Sequence, residues 1–139
     1  MYEKVLLAAD GSEHSIRAAK HAASLVKGQA DGHVDIVYVI DVEQSKSDVL
    51  KYGDTTLMQS KRKEALKPIV EMLKEAALSY EIHFKHGDPG PTIVKFANER
   101  NYDCVVLGSR GLNPLQTMVL GSVSHKVMKR VKSPVMVVK

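Results

Sequence analysis

Along the chain, short unbroken apolar runs alternate with longer stretches whose apolar positions recur every three or four residues. Residues 5–9 (VLLAA) are the first run; a segment apolar at every position predicts a strand buried on both faces. The run breaks at Asp10-Gly11-Ser12. Ser12 suits the N-cap of a helix in which Ile16, Ala19, Ala23 and Val26 fall at helical spacing, and Gly28 suits its far end. Residues 33–40 (HVDIVYVI) alternate at first and then turn wholly apolar, predicting a second strand that ends at Asp41. Residues 43–54 carry no clear period and read as a loop. A helical pattern follows over 57–79, with Ala65, Ile69, Met72, Leu73 and Ala76 on its expected inner face. Pro68 lies inside that pattern and removes a backbone hydrogen bond, which predicts a kink or a break.

Residues 81–86 (EIHFKH) alternate, with Ile82 and Phe84 on one side, as in a half-buried strand near a sheet edge. Asp88-Pro89 supplies an N-cap and first position for a third helix, whose buried face is Ile93, Phe96 and Ala97. A fourth strand is expected over 102–107, a last helix over 121–131, and a final strand over 134–138 (PVMVV). Strands and helices thus alternate, and no two strands are close enough for a hairpin. Parallel strands joined by right-handed crossovers satisfy that order. The expected fold class is α/β, a three-layer open parallel sheet of five strands with helices on both faces.

Composition narrows the picture. A chain of 139 residues with ordinary apolar and charged fractions is expected to form a single domain over 1–139. One cysteine, Cys104, falls in a strand and reads as core; without an internal disulfide partner it suits a reducing, cytoplasmic setting. No apolar stretch is long enough to span a bilayer, and the opening MYEKVLLAADGS does not read as a signal peptide. The net charge of +4 is spread along the helices, with Lys129, Arg130 and Lys132 at a helix C-terminus where cations complement the dipole. Two Phe, five Tyr and no Trp leave little for bases to stack on, so no nucleic-acid partner is expected, and the lack of a spanning stretch argues against a membrane one.

The candidate chemistry lies between Val105 and Ser124 (VVLGSRGLNPLQTMVLGSVS). Gly108 ends the fourth strand, Gly111 follows, and Gly121-Ser122 opens the last helix, with Ser122 as its expected N-cap. Each glycine taken alone has an ordinary use, in a strand end, a turn or a cap. Together, a strand, a glycine-bearing loop and a helix N-terminus make a cradle for phosphate, because the first helical N–H groups lack intrahelical partners. In open α/β sheets ligands bind beyond the carboxyl ends of the strands where strand order reverses. Asp10 follows the first strand and Val39 nearly closes the second, so both are candidate walls of one crevice with the glycine loop. An acidic side chain there accepts hydrogen bonds from a ribose or an adenine amine; a turn residue is the alternative for Asp10.

The spacing G-x2-G-x9-G-S, read as Gly108, Gly111, Gly121 and Ser122, resembles the ATP-binding signature of the universal stress protein family. VLLAADGS, GDPGPTIVKF and SPVMVVK are similar to segments of the same family, so that the resemblance spans essentially the whole chain. It implies strand order 3-2-1-4-5 and a homodimer paired through the strand at 134–138. It implies that Asp10 and Val39 contact adenosine, with Ala8 against it and Gly108 near the ribose. Gly111, Gly121, Ser122 and Ser124 would hold the phosphates, with Val123 contributing backbone. The apolar edge of Val135, Met136, Val137 and Val138 independently favours pairing, since soluble proteins cover such edges.

Turnover is a separate matter. The loop lacks the lysine-serine end of G-x-x-x-x-G-K-[ST], no G-x-G-x-x-G occurs, and no water-activating base is positioned by the sequence. His125 reads as a surface residue; His83 and His86 flank Phe84 without a third metal ligand at suitable spacing. His14 and His21 likewise lack partners. Magnesium would arrive with the phosphates of ATP, ADP or AMP. The expectation is a nucleotide-binding stress-response module, at most a slow ATPase. The alternatives are a nucleotide-independent dimeric interaction or holdase protein and a nucleotide hydrolase; a flavodoxin-like carrier fits the architecture but has few aromatics for a flavin.

Overall fold

The computed structural model describes residues 1–41, 46, 50, 55–110 and 121–139. Its strands are β1 (Lys4–Ala8), β2 (His33–Ile40), β3 (Ser79–His86), β4 (Cys104–Gly108) and β5 (Val135–Val138). Between them run α1 (Glu13–Val26), α2 (Thr55–Glu75), α3 (Pro89–Arg100) and α4 (Ser122–Arg130). All neighbouring strands are parallel, in the order β3-β2-β1-β4-β5. Register sets Ala8 beside Val37 on one flank and Leu107 on the other. The chain reverses its direction across the sheet between β1 and β4, which places the switch point there.

Strand alternation divides the core in two. Val5, Leu7, Val34, Ile36 and Val106 face α1 and α2; Leu6, Ala8, Val37, Val105 and Leu107 face α3 and α4. β1 and most of β2 are buried on both faces, as continuous apolar runs require, whereas β3 is half-exposed at the sheet edge.

The helix faces differ in detail from the periodicity. In α1 the buried positions are Ser15, Ala18, Ala19, Ala22 and Val26, while Ile16 and Ala23 sit at the margin. Small side chains face the sheet because the helix lies close to it: a Cβ on Gly108 would stand 2.7 Å from the His14 Cβ. In α2 the inner face is Met58, Leu66, Ile69 and Leu73, and Ala65 and Ala76 are exposed. α2 runs unbroken through Pro68, whose exposed position lets water take the carbonyl that loses its donor.

The helix also stops earlier than 79. Ala77 takes a left-handed φ of 56° and the Leu78 N–H closes back on the Leu73 carbonyl at 3.0 Å, so Ser79 already belongs to β3. The loop expected over 43–54 lies outside the described residues except for Lys46 and Leu50, which are helical. Cys104 is buried as expected, and burial pushes its thiol up.

Candidate functional site

The carboxyl ends of β1 and β4 lie side by side, and three backbone segments converge on them. After β1, the Asp10 carboxylate accepts the Ser12 N–H at 2.9 Å, and the Ser12 Oγ accepts the Ser15 N–H at 3.2 Å. Gly11 turns this corner at φ 84°, a conformation costly for any residue with a Cβ, and its site for a Cβ would be 3.0 Å from the Ala65 side chain. Asp10 therefore serves the turn as well as standing at the strand end.

After β4, the Ser109 N–H donates to the Val138 carbonyl at 2.8 Å, and the Ser109 carbonyl accepts the Gly121 N–H at 2.9 Å. The Ser124 hydroxyl, buried, donates to the Gly108 carbonyl at 2.6 Å. These bonds pin the start of α4 to the end of β4. The Ser124 hydroxyl is thus engaged inside the protein, and its backbone N–H is the group that belongs to the helix terminus.

The two helices that begin at this edge differ in capping. α1 is closed by the Ser12 side chain. α4 begins after Gly121, not after Ser122: Gly121 is the N-cap, Ser122 is the first helical residue, and no side-chain cap bond closes this end among the described residues. The reason is a tertiary contact, because a Cβ on Gly121 would sit 3.0 Å from the Ser109 carbonyl oxygen that its N–H contacts. The N–H groups of Ser122, Val123 and Ser124 belong to the first turn, where helix geometry gives no intrahelical acceptor. This end of α4 carries the positive pole of the helix dipole.

Ala8, Val39 and Val123 share the α3/α4 face of the sheet, and Val39 and Val123 keep partial exposure there. Gly108 lets α1 approach β4. Gly111 lies outside the described residues. His14, against Gly108, contacts Arg17 at 3.1 Å, and its pKa is lowered by burial first and then by the charges of Arg17 and Arg110. His125 is exposed, as expected of a surface residue.

A second polar constellation lies toward the amino ends of the strands. Buried Asp35 accepts hydrogen bonds from the Tyr102 hydroxyl at 2.7 Å, His33 Nε2 at 2.8 Å and His83 Nε2 at 3.2 Å. Burial pushes its carboxyl up, but the Tyr102, His33 and His83 bonds outweigh this and hold it below the ordinary carboxylate value. Burial, with the Asp35 carboxylate, raises the Tyr102 phenol. Strand alternation sets His83 and His86 on opposite faces; His83 meets Asp35 of β2 and Glu81 of its own strand instead. The signal for this cluster is the pair of alternating triplets His33-Val34-Asp35 and Glu81-Ile82-His83, which become one site only when the register is known.

No helix among the described residues is long and apolar enough to cross a membrane. The model of the universal stress protein family matches residues 1–139. Universal stress protein MJ0531 of Methanocaldococcus jannaschii is 32% identical, covering 100% of this chain and 83% of its own length. The solved structure of MJ0577, from the same organism, is similar with a TM-score of 0.84 at 30% identity, over 100% of this chain and 96% of that one. A universal stress protein solved in complex with cAMP is similar with a TM-score of 0.70 at 25% identity, over 99% of this chain and 96% of that one. A family match along the whole chain, joined to the order β3-β2-β1-β4-β5, makes this chain a member of the universal stress protein family.

Proposed function

We propose that this chain is an adenine-nucleotide-binding stress-response protein whose nucleotide state governs its contacts with other proteins. The observation that carries the reading is the glycine-capped start of α4 at the switch point between β1 and β4. A phosphate accepting the N–H groups of Ser122, Val123 and Ser124 would complete a helix end whose cap residue, Gly121, has no side chain to complete it. Gly111 and Gly121 would let the phosphates approach the backbone, and Gly108 would border the ribose. The Asp10 carboxylate would accept from the ribose or the adenine amine, and Val39 and Ala8 would lie against the base. A relative solved with cAMP supports an adenine nucleotide as the ligand class. ATP with magnesium is the proposed form, the metal held chiefly by phosphate oxygens and water. The chain is proposed to act as one cytoplasmic domain that binds nucleotide and hydrolyses it slowly at most.

The test is to denature the purified protein, identify any released nucleotide by chromatography and mass spectrometry, and titrate ATP, ADP and AMP with magnesium by calorimetry. Binding is expected in the wild type and is lost in Gly121→Val, where added bulk meets the Ser109 carbonyl and covers the helix start. Neither released nucleotide nor binding heat in the wild type would overturn the reading.

β5 favours a second reading, an interaction protein acting through its dimer surface. Val135, Met136 and Val137 are only half-buried on an edge strand. Full stress survival of cells carrying Gly121→Val at normal protein levels would support it over the first.

A further inference from the structure

We propose that His33, Asp35 and Glu81, with His83 beside them, form a binding site for a divalent transition ion of the zinc class. The site follows from strand geometry. His33 and Asp35 are two apart on β2, Glu81 and His83 two apart on β3, and the parallel register sets Asp35 directly beside Glu81. All four side chains therefore project from one face of two neighbouring strands.

One ligand atom each from His33, Asp35 and Glu81 lies within 4.8 Å of the others. The His33 Nε2 stands 2.8 Å from Asp35 Oδ1; His83 Nε2 stands 3.2 Å from that oxygen and 3.7 Å from Glu81 Oε2. Donors about 2.0 Å from a tetrahedral ion are separated by about 3.3 Å, so these spacings need little adjustment to enclose one. Imidazole and carboxylate donors together suit zinc better than calcium or magnesium, which prefer all-oxygen shells.

A further feature, orientation, points to a cation: Ser79 Oγ lies 2.7 Å from His33 Nδ1, and Tyr102 holds the other Asp35 oxygen at 2.7 Å. Outer contacts of this kind fix the ring and carboxylate of a metal ligand. Access exists as well, because the Glu81 side chain is 66% exposed and that of His33 30%. The site stands several residues up the strands from the crevice at the carboxyl ends, so it owes nothing to nucleotide binding.

The test uses the full chain, stripped with chelator and free of nucleotide, titrated calorimetrically with zinc chloride near neutral pH. One ion per chain is expected, and His33→Gln and Glu81→Gln should each weaken binding by at least about tenfold. His86→Gln and His125→Gln should leave it unchanged, and circular dichroism should confirm that every variant is folded. X-ray absorption of the loaded protein should show imidazole nitrogen and carboxylate oxygen around the ion. Absence of stoichiometric binding, or equal affinity in the His33→Gln/Glu81→Gln double variant, would overturn the proposal and leave the histidines as hydrogen-bond donors to Asp35.

Discussion

Asp35 is a charge held in the interior by three donors, and the most buried of these is Tyr102. Removing the phenolic hydroxyl leaves Asp35 Oδ2 short of that donor in a place where water does not replace it. Tyr102→Phe should therefore cost about 1–3 kcal/mol at neutral pH, measured by urea unfolding. The pH dependence follows from the same bonds. The folded-state pKa of Asp35 lies below its ordinary value near 3.8. The unfolded chain thus binds the proton first as pH falls, and the stabilisation, complete above that ordinary value, is lost as pH drops through the lowered one. Without Tyr102 the carboxyl moves back toward its ordinary value, so acid unfolding followed by circular dichroism should begin at a higher pH in the variant.

At the scale of elements, α1 and β4 meet at Gly108. A methyl group there would stand 2.7 Å from the His14 Cβ and 3.0 Å and 3.1 Å from the His14 backbone carbon and oxygen. Backbone does not yield as a flexible side chain does, so Gly108→Ala should displace the start of α1 and lower stability by about 1–3 kcal/mol in thermal or urea unfolding. The same contact explains what sequence could and could not reveal. β1 is legible because an unbroken apolar run means burial on both faces, and the ends of β1 and β4 then place Asp10 and Gly108 at one edge of the sheet. The inner face of α1 is not, because it is built from Ala18, Ala19 and Ala22, and a search for large apolar residues drifts to Ile16 and Ala23. α4 starts one residue before the position that sequence favours, since serine is the commoner cap and the closeness of Ser109 is a tertiary fact. The Asp35 cluster was hidden for a similar reason: it needs the register of β2 against β3, which nothing local encodes.

For the whole molecule, the open edge of β5 is where the proposed pairing of copies would form. The Val105 N–H bonds the Pro134 carbonyl and the Ser109 N–H bonds the Val138 carbonyl, so alternate residues of β5 face β4. Val135 and Val137 consequently turn their backbone groups to the open edge. If the proposed homodimer pairs through this edge, Val137→Pro removes an outward donor while sparing the bonds to β4, a substitution that edge strands tolerate. Sedimentation should then show a dimer for the wild type and a monomer for the variant, with the same circular dichroism. A wild-type monomer at micromolar concentration would rule this pairing out.

The strand order also dictates when the crevice comes into being. β1 pairs with β2, its near neighbour in sequence, but its other flank waits for β4, so that Val5 meets Cys104 only late in synthesis. The partnership of β1 and β4 closes a loop of most of the chain, and that long-range closure is what joins the walls around Asp10 and Gly121. A nucleotide bound across both walls, as proposed, would tie the two ends of that loop together and slow the opening of the folded protein.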